Sequence, residues 1–185
     1  GQVTKHITQE FGLPSNAVYT LYADKKGNLW AGLESGFSHI DLTSPVTLFN
    51  KAHGIVGSMI AAKKFLGTMY VGTTQGIFFS DFVQGETKFK AVPGFNSTTW
   101  DFGVLNNELI AFCTAGAFQV IDSATLHQID NSSISSYRTS KKFINTVFLG
   151  LWDGLRALSL TVQDGRLMAS DTVDFPEIGT SIRYI

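Results

Sequence analysis

The residue types that usually perform catalysis are scattered along this chain. Its 185 residues include one cysteine and four histidines, and the histidines lie in unrelated sequence contexts. The sequence contains no H-E-x-x-H metal motif, no G-x-S-x-G nucleophile turn and no phosphate-binding P-loop. Cys113 lies within the apolar run "LIAFCTAG", where a small buried thiol is expected. We therefore predict no enzymatic activity, no metal and no cofactor.

A recurring aspartate is the one pattern that would suit a metal ion. Asp41, Asp81 and Asp122 end equivalent apolar runs in three successive segments. Their spacing places one carboxylate in each segment, whereas a metal ion needs several ligands around one point. Capping of turns by the aspartate side chains is therefore the favoured interpretation.

The turn "WDG" suits a different chemistry, the binding of carbohydrate. Trp152 and Asp153 stand where the equivalent turns carry "ES", "TQ" and "TA". An exposed aromatic ring offers a platform for the apolar face of a sugar, and the neighbouring carboxylate offers a hydrogen-bond acceptor. Packing of Trp152 on a neighbouring turn or domain is the alternative that the sequence leaves open.

Composition narrows the class of protein that holds these residues. The chain is 44% hydrophobic, 12% aromatic and 16% charged, which favours a folded domain over a disordered segment. The net charge of −1 provides no general attraction to nucleic acid or to an anionic membrane. No apolar run reaches the roughly 20 residues that a membrane-spanning helix needs.

Four segments of the sequence align without a gap, and they provide the framework for the candidate residues. The runs are "GNLWAGLESGF" from Gly27, "GTMYVGTTQGI" from Gly67, "NELIAFCTAGA" from Asn107 and "NTVFLGLWDGL" from Asn145. The closing glycines are Gly36, Gly76, Gly116 and Gly154. In addition, "KKFLG" from Lys63 and "KKFIN" from Lys141 stand at corresponding places in the second and fourth segments. A fixed period of about 40 residues is typical of a repeat protein.

Each segment predicts four β-strands. Short apolar runs such as "LWAGL" and "MYVGT" do not alternate cleanly, so both faces of these strands are expected to be buried. The closing glycine fits a tight hairpin with positive φ. Repeated four-stranded units of this length predict an all-β fold, a β-propeller with four-stranded antiparallel blades, in preference to a β-solenoid. The predicted repeats are residues 17–57, 58–98, 99–135 and 136–175.

The ends of the chain predict incomplete blades at residues 1–16 and 176–185. "VTKHIT" from Val3 resembles an outer strand, and "SIRYI" from Ser181 resembles a new inner strand. The chain is therefore expected to be a slice of a longer propeller, although a closed four-bladed ring is an alternative. An open slice exposes the face of a blade, and we expect self-association through it.

The first segment resembles the two-component regulator propeller repeat. "GLPSN" from Gly12 is followed by Asp24 and by the motif residues of the first repeat, which are Gly27, Leu29, Trp30, Gly32 and Gly36. Later segments keep part of this pattern, at Gly72, Gly76, Gly116, Gly150 and Gly154. The third segment has Phe112 in place of the first glycine of the pair.

This resemblance implies a function for the chain. Such repeats occur in the extracytoplasmic, periplasmic sensor region of bacterial hybrid two-component systems. There they form seven-bladed propellers, followed by downstream signalling domains that include a histidine kinase, and some sense oligosaccharides. The resemblance thus implies that the partners of this chain are further blades, signalling domains and an oligosaccharide ligand. A non-catalytic dimerisation scaffold is the alternative, and a glycan lyase or hydrolase is a third.

Trp30 and the loops receive separate interpretations. Tyr70, Ile110 and Phe148 take the position of Trp30 in the later segments, so Trp30 is predicted to be a core residue between blades. "GLPSN" is predicted to build a turn. Loops and central turns at one face of a propeller are where binding is expected. The predicted ligand-binding residues are Trp152, Asp153, Trp100, Tyr137, Asn96, Gln75 and Glu34, with Asn16 and His53 on the same face.

Overall fold

The computed structural model of the chain is built almost entirely from β-strands. It describes residues 6–42, 47, 49–83, 86–175, 178 and 182. Within these ranges the only helices are two short 3₁₀ turns, Gln9–Phe11 and Lys51–His53. None of the described helices is long and apolar enough to cross a membrane.

The strands follow one another along the chain in short hairpins. In the described ranges they are β1 (Val18–Ala23), β2 (Leu29–Leu33), β3 (Gly36–Ile40), β4 (Met59–Phe65), β5 (Thr68–Thr73), β6 (Gly76–Val83), β7 (Glu86–Ala91), β8 (Thr99–Leu105), β9 (Glu108–Cys113), β10 (Gly116–Val120), β11 (Leu126–Asp130), β12 (Ile134–Thr139), β13 (Thr146–Leu151), β14 (Leu155–Gln163) and β15 (Arg166–Phe175).

These strands form antiparallel sheets in which spatial order follows sequence order. Sheet 1 is β1–β3, sheet 2 is β4–β7, sheet 3 is β8–β11 and sheet 4 is β12–β15. The prediction of a propeller with four-stranded antiparallel blades is thereby confirmed. Of the strand "VTLFN" predicted at 46–50 as the fourth of sheet 1, the described residues 47, 49 and 50 are not in a strand. The same holds for the described residues 6–8 and 182 of the terminal strands predicted at 3–8 and 181–185, and the other residues of these predictions lie outside the described residues.

The chain divides into two compact units. Residues 1–53 form the first unit, which contains sheet 1, and residues 54–185 form the second, which contains sheets 2, 3 and 4. The predicted repeat boundaries and partial blades remain predictions.

The first position of the aligned runs has a common backbone conformation. Gly27 and Gly67 have φ values of 86° and 88°, and Asn107 and Asn145 have 62° and 65°. Each residue lies in the turn between the first two strands of its sheet. Glycine and asparagine are the residues that tolerate this left-handed conformation best. The repeat therefore records a backbone requirement of the turn.

The closing glycines behave alike in three of the four turns. Gly36, Gly76 and Gly116 have φ values of 100°, 133° and 130°, as predicted for tight hairpins. For Gly154 that prediction is wrong, because it does not adopt a left-handed conformation. In sheet 4, Gly150 pairs with Leu155, so the "WDG" connection is longer than a two-residue turn. The hydrogen bond from Leu151 N to Gly154 O closes it at 2.8 Å.

The core of the second unit lies between its sheets. Tyr70 and Ile77 of sheet 2 pack with Phe102 and Leu109 of sheet 3. On the other side of sheet 3, Ile110 and Phe112 pack with Leu149 of sheet 4 and its neighbours. Because successive side chains of a strand point to opposite faces, β9 contributes to both clusters. The prediction that the second strand of the blade is buried on both faces is thus confirmed for β9, but it is wrong for β2, where Trp30 is exposed and Gly32 is half-buried.

Trp30 differs from this pattern, and its prediction as a core residue is wrong. Its side chain is 38% exposed, whereas Tyr70 and Ile110 at the equivalent positions are buried. The indole ring lies 4.4 Å from the ring of His39 and 6.0 Å from that of Phe37, both exposed residues of β3. The ring is therefore covered mainly by side chains of its own sheet.

Candidate functional site

The turns and loops at one end of sheets 2, 3 and 4 form the face on which binding was predicted. We define this loop face by the turns 74–75, 114–115 and 152–153 and the loops 93–98 and 131–133. Thr98 Oγ1 donates to Thr74 O at 3.3 Å, and Thr114 N donates to Thr98 O at 2.9 Å. These bonds join the turns of sheets 2 and 3 into one continuous surface.

Gln75 and Asn96 are brought close together on this surface. A Cβ placed on Gly76 would lie 2.7 Å from Phe95 O and 3.9 Å from Asn96 Cα. The turn that carries Gln75 therefore lies directly against the loop that carries Asn96. Both side chains are exposed, so two amide groups are available here for hydrogen bonds to a ligand.

Trp100 follows the loop that carries Asn96 and is held in a defined position. Its indole Nε1 donates to Thr114 Oγ1 at 3.0 Å, and the residue is half-buried. Trp100 is the extra residue of a β-bulge, because Thr99 pairs with Cys113 and Asp101 pairs with Phe112. A bulge bends its strand and redirects the side chain of the extra residue.

The same bulge occurs in the first strand of every sheet. The register shifts fall between Val18 and Thr20, Met59 and Ala61, Thr99 and Asp101, and Ile134 and Ser136. The extra residues are therefore Tyr19, Ile60, Trp100 and Ser135. Of these side chains, that of Ser135 donates to Gly150 O and Ile182 O, and those of Tyr19 and Ile60 are exposed.

Trp152 and Asp153 occupy the connection between β13 and β14. The side chain of Trp152 is 45% exposed, and Asp153 is exposed. Both residues therefore lie on the turn at which carbohydrate binding was predicted.

Tyr137 was predicted on the loop face, and this placement is wrong. It lies in β12, where it pairs with Leu149. Its ring stacks on that of Phe112 with 3.8 Å between centroids, and its hydroxyl donates to Phe102 O at 2.9 Å. Burial between sheets 3 and 4 raises the pKa of Tyr137 to about 12. Stacking on Tyr137 explains why position 112 carries a large ring, whereas sheets 2 and 4 have glycine at the equivalent position.

Glu34 belongs to the first unit. It is exposed in the turn between β2 and β3, and its amide donates to Ala17 O at 3.2 Å. Asn16 and His53 of the same unit are both engaged locally. Asn16 Oδ1 accepts from Gln9 N at 2.6 Å, and His53 N donates to Asn50 O at 3.0 Å.

The recurring aspartates have separate roles. Asp122 Oδ1 accepts from Ala124 N at 2.7 Å, which lowers the pKa of Asp122 and confirms turn capping there. Turn capping is wrong for Asp81, which lies within β6 and forms an ion pair with Lys90 at 2.6 Å.

No group of three described His, Cys, Asp or Glu residues is placed to hold a metal ion. Cys113 is buried, which raises the pKa of its thiol to about 12.

A comparison with known proteins assigns the start of the chain. Residues 12–35 match the family described as "two component regulator propeller". No curated protein sequence matches the chain significantly.

Two solved extracellular domains are similar to this chain. The extracellular domain of BT4673 from B. thetaiotaomicron, assigned to a one-component system, superposes with a TM-score of 0.52 at 9% identity, over 87% of this chain and 25% of that one. The extracellular domain of BT3049 from the same organism, assigned to a hybrid two-component system, superposes with a TM-score of 0.46 at 16% identity. The superposition covers 88% of this chain and 23% of that one. This chain thus spans about a quarter of the length of either protein.

The motif residues of the propeller repeat have structural roles that the model shows directly. Gly12 has a φ of 109°, and Ser15 Oγ accepts from Ala17 N at 3.1 Å, which confirms that "GLPSN" builds a turn. Asp24 Oδ1 accepts from Lys26 N and Asn28 N at 2.8 and 3.0 Å. These hydrogen bonds, that from Asn28 N above all, lower the pKa of Asp24.

The first glycine of the pair in the propeller repeat permits close approach of another strand. A Cβ on Gly72 would lie 2.9 Å from Thr99 O in the first strand of sheet 3. A Cβ on Gly150 would meet Ser136 Oγ and Ile182 O. These close contacts account for the glycines at both positions.

Sequence reasoning missed an ion-pair cluster next to the loop face. Arg156 Nη1 donates to Asp130 Oδ2 at 2.9 Å, and Arg156 Nη2 donates to Asp174 Oδ2 at 3.0 Å. The guanidinium holds the pKa of Asp174 below its usual range. A cleft of about 350 Å³ opens here, lined in part by Gln128 and Asn131. Both carboxylates lie far from Arg156 in sequence, so no local pattern indicates the cluster.

Proposed function

We propose that this chain is part of the sensory propeller of a two-component system and that its loop face binds a carbohydrate. The observation that carries the proposal is the position of Trp100, fixed by Thr114 at the loop face of a chain that contains the propeller repeat. The other site features add groups that suit the same kind of ligand.

The chemistry of the loop face favours a neutral, polyhydroxylated ligand. An indole ring offers an apolar surface for the C–H groups of a sugar, and amide and hydroxyl groups offer hydrogen bonds to its hydroxyls. Trp100 supplies the ring, Gln75 and Asn96 supply amides, and Thr114 supplies a hydroxyl on the same surface. Trp152 and Asp153 supply a second ring with a carboxylate on sheet 4.

Sensing requires more than binding. A ligand transmits a signal only when it has different affinities for two arrangements of the receptor. In this proposal the chain binds and transmits but does not transform its ligand, and the extracytoplasmic location that the repeat family implies places it where external glycans are encountered.

Isothermal titration with a panel of oligosaccharides tests the proposal. We expect Trp100→Ala and Trp152→Ala each to weaken binding by about 3–10-fold, because each removes an aromatic contact. Trp100→Phe keeps a ring but loses the bond to Thr114, so an intermediate loss is expected. Trp30→Ala removes a tryptophan of similar exposure outside the loop face and should leave affinity unchanged.

Each alternative gives a distinct result in the same assays. Absence of heat with every glycan, for a chain that unfolds cooperatively, would contradict carbohydrate binding. Equal losses in Trp30→Ala and Trp100→Ala would contradict the assignment to the loop face. Release of new reducing ends from a bound glycan would show that the chain is an enzyme.

A further inference from the structure

Two turns at the end of the blades opposite the loop face carry apolar side chains that the fold does not use. We define the first tip as residues 63–66 and the second tip as residues 141–144, the "KKFL" and "KKFI" segments. Leu66 is 89% exposed in the first tip, and Ile144 and Phe143 are 87% and 55% exposed in the second. Both tips belong to the second compact unit.

The tips point to the same side of the molecule. Both tips adjoin the turn between the first and second strands of a sheet, sheet 2 for the first and sheet 4 for the second. The bond from Thr98 to Thr74 aligns the loop-face ends of sheets 2 and 3. At the opposite ends of sheets 3 and 4, the buried Gln119 donates to Glu108 Oε2 and to Gly165 O. Leu66 and Ile144 therefore protrude from one face.

Leu66 occupies a backbone conformation that disfavours leucine. Its φ is 45°, in the left-handed region, where a side chain with Cβ is strained. Sheet 3 has the same two-residue turn, and there Asn106 takes the equivalent position with a φ of 51°. Asparagine tolerates this conformation better, so neither turn geometry nor packing accounts for Leu66.

The second tip is held rigidly with its apolar residues outward. Ser140 Oγ accepts from Lys142 N at 3.2 Å and from Phe143 N at 2.8 Å. Thr146 N donates to Phe143 O at 3.2 Å and closes the turn. The exposure of Ile144 is thus a feature of an ordered turn.

Lysines accompany both tips and keep their charge available. Lys63, Lys64, Lys141 and Lys142 have no described carboxylate within ion-pair distance. Lys142 Nζ lies 5.5 Å from the centroid of the Phe143 ring. At the same end, Glu108 and Asp122 are engaged by Gln119 and by the turn at Ala124. Glu86 pairs with Lys88, and the exposed Asp164 lies beside the exposed, oppositely charged Arg166.

We propose that this face docks on an anionic lipid bilayer, with Leu66, Phe143 and Ile144 inserted at the interface and the exposed Lys64, Lys141 and Lys142 among the headgroups. Each lysine near an anionic membrane contributes attraction, and its long stem lets the ammonium remain in water while neighbouring residues insert. A protein partner fits less well, because lysine is depleted at the cores of protein interfaces and the tips are separate protrusions. The proposal is independent of carbohydrate binding.

Flotation of the chain with vesicles tests the docking. The probe is a vesicle of phosphatidylcholine with about one third phosphatidylglycerol, and pure phosphatidylcholine is the comparison. We expect binding only to the anionic vesicles and weaker binding as salt rises. Leu66→Asn and Ile144→Asn should each reduce partitioning roughly tenfold, since each removes an inserted side chain.

Matched variants distinguish vesicle binding through the two tips from nonspecific adsorption of the chain. Met59→Gln alters an exposed apolar residue at the loop-face end of β4 and should leave partitioning unchanged. Leu66→Asn should fold at least as stably as the parent chain, because it copies the turn of sheet 3, so loss of binding cannot be ascribed to unfolding. Lys141→Gln combined with Lys142→Gln should lower partitioning by about tenfold.

Three results would overturn the proposal. The first is an absence of anionic vesicle binding by the folded chain, and the second is equal partitioning of Leu66→Asn, Ile144→Asn and the parent. The third is self-association in sedimentation velocity that the tip variants abolish while vesicles remain unbound. That result would assign the tips to an interface between copies of the chain.

Discussion

Sheets 1 and 3 differ in opposite directions in how much of the repeat motif they carry and in how deeply they are buried. Sheet 1 carries the complete repeat motif, yet Trp30 and every residue of β1 are exposed. Sheet 3 has Phe112 in place of the motif glycine and asparagine at the left-handed turn position, yet β9 is almost wholly buried. The difference shows that the motif encodes turns, whereas burial depends on what packs against the two faces of a sheet.

The largest expected effect on stability is that of a substitution in the buried sheet 3. Phe112→Ala should lower the free energy of unfolding by about 3–5 kcal/mol, because it empties a site packed on both Tyr137 and the sheet 3–4 core. Urea denaturation followed by circular dichroism measures the change. A loss below that of Trp30→Ala would contradict the assignment of sheet 3 as the centre of the core.

The closing glycines provide a matched pair between the two sheets. Gly36 and Gly116 both have positive φ, but a Cβ on Gly116 would collide with Asp130 O, whereas one on Gly36 meets nothing within 4 Å. We expect Gly116→Ala to cost about 2–4 kcal/mol and Gly36→Ala about 1–2 kcal/mol. Chemical denaturation of both variants measures the difference. Equal costs would show that backbone conformation alone determines the requirement for glycine.

Alkaline pH should destabilise the region around sheet 3. Burial raises the pKa of the Cys113 thiol to about 12 in the folded chain, against an ordinary value of 9.0. The contribution to stability is complete below pH 9 and is lost as pH rises towards 12, by up to ~1.4 kcal/mol per pH unit. Denaturation midpoints at several pH values measure this slope. Cys113→Ala should flatten it, and an unchanged slope would exclude Cys113 as its main source.

The smallest expected effect on stability is that of a substitution in the exposed sheet 1. Trp30→Ala should cost about 1 kcal/mol or less, because its half-exposed ring packs on His39 and Phe37 of the same sheet. Thermal unfolding by calorimetry is sensitive enough to detect this change. A loss as large as that of Phe112→Ala would restore Trp30 as a core residue.

The sequence predicts local structure well, since turns and strands depend on neighbouring residues. The predicted strands "LWAGL" at 29–33 and "TWDFGVL" at 99–105 coincide with β2 and β8. The recurrence at Gly27, Gly67, Asn107 and Asn145 corresponds to one backbone conformation. These features depend on φ preferences and on periodicity, which are visible in a single chain.

Contacts between sheets are less visible in the sequence. Tyr137 was misplaced because a bulge and a stacking partner 25 residues away determine where its ring lies. Arg156 was missed because its two partners are distant in sequence. Asp130 lies in sheet 3, and Asp174 lies in the neighbouring strand of sheet 4. Of the predicted site, Gln75, Asn96, Trp152 and Asp153 lie on the loop face, and Trp100 is bonded to Thr114 of that face. The part of these residues in ligand binding stays a prediction.

The bulge in the first strand of every sheet has a consequence for how such a chain acquires new specificity. Tyr19, Ile60, Trp100 and Ser135 differ in size and polarity, although each stands at the same unpaired position. Because the extra residue is outside the ladder of backbone pairs, its side chain is replaceable without a change of register. A combinatorial library restricted to these positions would therefore vary the four side chains while the register of each sheet stays constant.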